Sequence, residues 1–179
     1  MKLNTDIFYW FYGLAHQSST VDGLIVFCAV YLGYALLICL GLCVLISKDK
    51  KTDLRKASVA IGSGLAAWVV AEVLKATLLS PRPFLFLSGV TPLFLETNSA
   101  FPSGHASFFG GLAFSLLFSK FPRANIFMIG AVIVGITRVM GGVHWPGDIV
   151  GGLTLGFISA YCGNILSRRF LPINNQSNE

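Results

Sequence analysis

Apolar residues run along this chain in five long blocks, Leu24 to Ile46, Ser58 to Leu79, Phe101 to Phe118, Ile126 to Val143 and Ile149 to Leu166, with short polar breaks between them. A helix needs about 20 predominantly apolar residues to cross the hydrocarbon core of a bilayer, and each block meets or approaches that length. The pattern predicts an all-α protein, an integral membrane helical bundle with five transmembrane helices. A further apolar and aromatic stretch, Ile7 to Ala15, is too short to cross. It predicts an interfacial helix within residues 1–20 lying at headgroup level, a short or tilted sixth span being the alternative. The blocks recur too regularly to leave room for a second domain, so residues 1–179 read as a single domain with its core at about 24–167 and a cytoplasmic tail at 168–179.

Composition agrees. Hydrophobic residues make up 54% of the chain and charged residues 12%, against about 25% charged in a soluble domain, and the mean hydropathy is +0.72. No cleavable signal peptide is expected, since Lys2 alone would have to supply the basic segment and no small-residue cleavage site follows a short apolar core. Cys28, Cys39, Cys43 and Cys162 all fall inside predicted spans and read as small packing residues.

The cations sort into two groups. Lys48, Lys50, Lys51, Arg55 and Lys56 follow the first span, Lys120 and Arg123 follow the third, and Arg168 and Arg169 follow the fifth. Short cytoplasmic loops carry the excess of Lys and Arg, so these breaks are expected inside. Apart from Lys2, that leaves Lys75, Arg82 and Arg138, all at the opposite ends of the spans. The net charge of +5 thus reflects orientation plus anion binding, with no sign of nucleic-acid recognition.

Three short motifs fall on that outer side. Lys75 precedes Arg82-Pro83. A cation near a helix end inside the membrane is costly and functional by default, and Pro81 and Pro83 hold the backbone around Arg82 extended, which suits a guanidinium aimed at phosphate. The plainer reading has Lys75 snorkelling and pairing with Glu72. Pro102-Ser103-Gly104-His105 opens a span. A helix N-terminus offers unpaired N–H groups to an anion, Gly104 permits close approach, and His105 can give a proton to a departing oxygen; a Ser cap with a surface His is the bland alternative. Arg138 is followed by His144 and Asp148, with Pro146 expected at the first position of the last span. Asp148 can take the Nδ1 proton of His144 and leave Nε2 as a nucleophile, or it can simply cap the helix. Each motif alone is ordinary; together they account for two of the chain's three histidines, His16 being the other.

Taken together, these residues resemble the type 2 phosphatidic acid phosphatase superfamily, whose signature is Lys-x6-Arg-Pro, Pro-Ser-Gly-His and Ser-Arg-x5-His-x3-Asp. Lys75, Arg82 and Pro83, residues 102–105, and Arg138, His144 and Asp148 match it. Thr137 stands where the family has Ser, and the first helix is weak where many members have six clear spans. The resemblance implies that His144 attacks the terminal phosphorus and forms a phosphohistidine, that Asp148 orients it, and that His105 protonates the leaving group. Lys75, Arg82, Arg138 and the Ser103-Gly104 backbone then hold the phosphate oxygens. It implies no metal and no cofactor, so activity in chelator is expected.

The segment between Arg82 and Phe101 is unusually apolar for a loop. It is expected either beside the site at the outer leaflet, where it suits a lipid-borne phosphate, or packed over the bundle ends. The expected partners are therefore a phosphorylated membrane lipid and the bilayer, with no obligatory protein partner. Small bacterial members of the family point first to undecaprenyl diphosphate, hydrolysed at the outer face of the cytoplasmic membrane; phosphatidylglycerophosphate, phosphatidic acid and lipid A phosphates are alternatives. A phospholipid-binding or flipping protein of the same fold is the reading of a different class, and the intact His105, His144 and Asp148 weigh against it.

Overall fold

The computed structural model describes residues 2–170, and within them every regular element is helical. α1 (Lys2–Tyr12) is followed by α2 (Ser19–Val26), a π-helical turn at Phe27–Tyr31, and α3 (Leu32–Leu45), which together make one long rod. Then come α4 (Lys50–Leu78), the single turn α5 (Pro83–Phe86), α6 (Gly104–Phe118), α7 (Ala124–Met140) and α8 (Pro146–Phe170). Of the predicted tail, residues 168–170 continue α8, and 171–179 lie outside the described residues.

Local chemistry sets the ends. Ser18 accepts from Val21 N–H at the start of α2, Asp49 from Thr52 N–H at the start of α4, and Ser103 from Ala106 N–H at the start of α6. α4 stops at Leu79, in the left-handed region at φ 45, just before Ser80-Pro81, where the residue ahead of a proline disfavours helix. α7 stops at Met140 because Gly141 and Gly142 turn the chain, Gly142 at φ 77. Two predicted boundaries are corrected accordingly: the third helix begins at Gly104 and not Phe101, since Ser103 is its cap, and the fourth ends at Met140 and not Val143.

Three helical segments, Ser19–Leu45, Lys50–Phe86 and Pro146–Phe170, are long and apolar enough to cross a membrane; α6 and α7 are apolar but shorter, at 15 and 17 residues. Leu24, Ile38, Leu42, Val69, Val73, Val150, Phe157 and Ile158 point away from the bundle and are exposed. A belt of that size is a lipid-facing surface. α1 is an 11-residue helix, too short to span, as its pattern predicts. It packs on the ends of α7 and α8, with Phe8 fully buried against Trp145 and Asn4 Oδ1 accepting from Gly147 N–H at 2.9 Å.

α6 sits at the centre, packed mainly on α8 and α4. One cluster of Leu36, Leu40, Phe109, Leu112, Leu116 and Phe127 fills one end of the bundle; a second, of Phe8, Val90, Val139, Trp145 and Ile149, backs the loops at the other. Glycine brings α8 onto α6: a Cβ at Gly152 would stand 2.7 Å from the Ser103 carbonyl oxygen and 2.8 Å from Ala106 Cβ. These are backbone and near-backbone atoms that cannot swing aside. Gly152→Ala is therefore expected to destabilise the detergent-solubilised protein by about 1–3 kcal/mol, read as a fall in Tm, whereas Gly62→Ala, where a Cβ meets nothing within 4 Å, leaves Tm unchanged or raised.

Candidate active site

Four chain segments meet at one end of the bundle: the α4–α5 turn, the loop before α6, the α7–α8 turn and the first turn of α8. Arg82 caps α5 with extended backbone (φ −75, ψ 155), as its flanking prolines dictate. From there its fully buried guanidinium donates from Nε to the Asn98 carbonyl at 2.7 Å, from Nη1 to the Val143 carbonyl at 2.8 Å, and from Nη2 to Asn98 Oδ1. One side chain thus staples the loop before α6 to the α7–α8 turn.

Arg138, on the last turn of α7 and 1% exposed, reaches the Ala29 carbonyl at 3.1 Å. Ala29 belongs to the π-helical turn, and such turns recur where a regular helix is interrupted for function. Phe94 lies across the same guanidinium at 5.6 Å. Thr137, at the family's Ser position, turns its hydroxyl back onto the carbonyls of Ile133 and Val134, so it gives the site no donor.

His144 is 1% exposed. Its Nδ1 stands 3.2 Å from Asp148 Oδ2, and the same oxygen accepts Trp145 N–H at 2.8 Å. The Asp148 carbonyl accepts Ser103 N–H at 3.0 Å, and Trp145 Nε1 donates to the Pro81 carbonyl at 3.0 Å. Asp148 accepts on both nearby donors, which favours the tautomer with the proton on Nδ1 and leaves Nε2 free. That Nε2 faces Arg82 Nη1 at 3.4 Å. Burial pushes the imidazole down to about 4, against the Asp148 hydrogen bond that raises it, so the ring is neutral at pH 7.

Between the two arginines lies a group the sequence reading passed over. Glu96 Oε2 is 2.7 Å from Arg82 Nη2 and 3.6 Å from His144 Nε2, and Glu96 Oε1 pairs with Arg138 Nη2. A carboxylate therefore fills the space that Arg82, Arg138 and His144 enclose. The seat is shaped for an anion with at least two oxygens.

The remaining predicted residues stand to one side. Lys75 is buried and pairs with Glu72 Oε1 at 2.8 Å, as the plainer reading has it, and both lie against Gly104, where a Cβ would come within 3.2 Å of Lys75 Nζ. Ser103 is fully buried, and its N–H is committed to Asp148, so the open backbone donors of α6 begin at Gly104 and His105. His105 is exposed and lines a cavity of about 300 Å³ with Trp68, Phe108, Phe109, Leu65, Tyr34 and Gly33. The structure thus joins Arg82, Arg138, His144, Asp148 and Ser103 directly; Lys75, Gly104 and His105 form the adjoining wall. His16 is apart from both, bonded to Tyr12 and the Thr91 carbonyl. Among the described residues no group of three or more His, Cys, Asp or Glu side chains could hold a metal ion.

The partners that sequence reading missed are Glu96, Asn98, Trp145, Asn4 and Ala29. Only the polar stretch at Glu96 to Ser99, in an otherwise apolar loop, hinted at the first two.

The chain is also similar to known proteins. Residues 56–170 match the family described as the PAP2 superfamily. The chain is 29% identical to the bacitracin transport permease protein BcrC of Bacillus licheniformis, covering 99% of this chain and 96% of that one. It is 33% identical to an undecaprenyl-diphosphatase of Sulfolobus acidocaldarius, covering 79% and 68%. The crystal structure of Aquifex aeolicus LpxE superposes with a TM-score of 0.75 over 91% of this chain and 95% of that one, at 24% identity.

Proposed function

The chain belongs to the PAP2 superfamily and is a membrane lipid phosphatase of that family, and on that premise we propose that it hydrolyses the terminal phosphate of a lipid diphosphate through a phosphohistidine on His144. The observation that carries this is the position of His144 Nε2, 3.6 Å from the Glu96 carboxylate oxygen that Arg82 holds, so that a phosphate taking that place lies against the nitrogen. Reacting atoms about 3–3.5 Å apart are poised for attack. Nε2 adds to phosphorus and the lipid oxygen leaves on the opposite side, taking its proton from His105. Water, deprotonated by His105, then displaces His144 and releases inorganic phosphate. Arg82, Arg138, Lys75 and the Gly104 and His105 N–H groups hold the phosphoryl oxygens, and preorganised charge of this kind supplies most of the rate enhancement in such sites.

The leaving group is a lipid, because the cavity at His105 is lined by apolar side chains and opens between α3, α4 and α6. In α5 and the loop after it, Phe84, Leu87 and Val90 pack inward while Leu85, Phe86 and Leu95 stay exposed. The segment therefore packs over the bundle end, and its exposed apolar side chains support a place beside the lipid. The name of the Sulfolobus relative supports undecaprenyl diphosphate as substrate. The cations at Lys48–Lys56, at Lys120 and Arg123, and at Arg168 and Arg169 favour a cytoplasmic far end, which supports a site on the outer face of a bacterial inner membrane.

Phosphate release by the detergent-purified protein in EDTA, from undecaprenyl diphosphate, phosphatidylglycerophosphate and phosphatidic acid, tests the reading. Selective release from the isoprenoid diphosphate supports it; preference for a glycerophospholipid keeps the mechanism and changes the substrate; no release from any of them refutes it. The pH profile is a second test. His144 must be neutral to attack, and burial holds its pKa below the free value of 6.5 even though Asp148 and Glu96 face it, since Arg82 and Arg138 face it too. The acid limb of kcat/KM, which reports the free enzyme, is expected well below pH 6.5; an inflection at or above 6.5 contradicts it.

A further inference from the structure

Glu96 sits where the substrate's phosphate must go. Its two oxygens take one guanidinium each and lie beside the nucleophilic nitrogen, so enzyme and substrate compete for one seat. The chain on either side of Glu96 is pinned. Leu93 N–H donates to the Gly141 carbonyl at 3.1 Å and Phe94 lies on Arg138, while Asn98 is held by Arg82 and Ser99 Oγ accepts Ser80 N–H at 2.8 Å. Only Leu95 to Thr97 lies between these anchors; Leu95 is 80% exposed and Thr97 is exposed. The glutamate can withdraw while its anchors hold.

Resting on the phosphatase reading above, we propose that Glu96 is a specificity-determining residue: a tethered internal anion that yields the seat to a doubly charged terminal phosphate and keeps it from singly charged phosphodiesters. The argument is one of charge. Arg82 and Arg138 carry two positive charges, and Glu96 returns one. A phosphodiester, the headgroup linkage of bulk phospholipids, also offers one charge and two free oxygens, so exchanging it for Glu96 gains nothing. The carboxylate has the further advantage of tethering, with an effective concentration on the order of millimolar or more. A terminal phosphate brings up to two charges and three oxygens, enough for both guanidiniums and an open N–H of α6, and charge-assisted bonds of this kind are the strong ones. A membrane enzyme surrounded by phosphodiesters thus keeps its seat free of them without excluding its substrate by shape.

The test compares the full-length, detergent-purified protein with Glu96→Gln, which keeps the shape and removes the charge, and with Glu96→Asp, which keeps the charge on a shorter arm. Binding of inorganic phosphate is measured by calorimetry, and turnover is measured with and without phosphatidylglycerol in the micelle. Expected for Glu96→Gln are tighter phosphate binding, by on the order of tenfold given the tethered competitor it lacks, and inhibition by phosphatidylglycerol that wild type does not show. Glu96→Asp falls between. Weaker or unchanged phosphate binding in Glu96→Gln, or no inhibition of it by phosphatidylglycerol, overturns the proposal while leaving the phosphatase reading intact. Failure of the wild-type protein to bind phosphate overturns the seat itself, and the proposal with it.

Discussion

His144→Ala removes turnover, with kcat falling by about 10⁴ or more, the scale on which loss of a nucleophile is felt in a preorganised site, and leaves inorganic phosphate bound at near wild-type affinity. The two halves of the result come from different parts of the site. The arginines do not depend on the imidazole for position: Arg82 is held by the carbonyls of Asn98 and Val143 and by Asn98 Oδ1, and Arg138 by the Ala29 carbonyl. The seat therefore survives a change that deletes the attacking atom. Radiolabelled substrate, quenched in alkali where phosphohistidine persists, is expected to label wild type and not the variant. A protein that merely bound or flipped phospholipid would show no change in function, and that outcome would falsify the hydrolytic reading.

Asp148→Asn is expected to cost nearly as much while changing almost no shape. Asp148 Oδ2 faces two donors, His144 Nδ1 and Trp145 N–H. An asparagine whose oxygen takes that place still accepts from both but lacks the charge that favours a proton on Nδ1, and one whose NH2 takes it makes Nδ1 the acceptor. The ring proton then moves to Nε2, the atom that must attack. The same loss of tautomer control in a serine-protease triad lowers kcat by about 10⁴, and a fall of about 10³–10⁴ is expected here. Nitrogen-15 NMR of the His144 ring distinguishes this from simple misfolding: wild type shows protonated Nδ1, the variant protonated Nε2. A variant with unchanged tautomer and unchanged rate would show that Asp148 only caps α8.

The helical bundle was legible because hydropathy over some twenty residues outweighs local detail, and the motif residues stood out because charges are scarce in such a chain. Helix limits were less legible, for a physical reason. Hydropathy marks where lipid lies and not where hydrogen bonding stops, so α4 runs on from Ser58 back to Lys50, through charged residues that Asp49 caps, and α2 begins at Ser19, five residues before the apolar block. The role of Glu96 was beyond reach, although the polar stretch around it stood out. Its place depends on where Arg82, Arg138 and the intervening loop meet in space, contacts 14 and 42 residues distant along the chain, and no local pattern encodes a meeting of that kind. Asn4 is similar: a polar residue near the start of an aromatic helix gives no sign that it will bond an amide of α8. Ala29 is the extreme case, since its contribution is a backbone carbonyl within a π-turn, to which residue identity is nearly irrelevant.

The shortness of α6 has a kinetic meaning. Fifteen residues of α-helix measure only about 22 Å, against a hydrocarbon core of about 30 Å, so the seat at its first turn is sunk to the depth of the headgroups and does not stand above them. A lipid arriving there keeps its chain in the bilayer. Lifting it clear would cost about 0.8 kcal/mol for each methylene exposed, which rules out that route for any long-chain lipid. Encounter is thereby confined to two dimensions, and the concentration that governs saturation is moles of substrate per mole of surrounding lipid, not moles per litre.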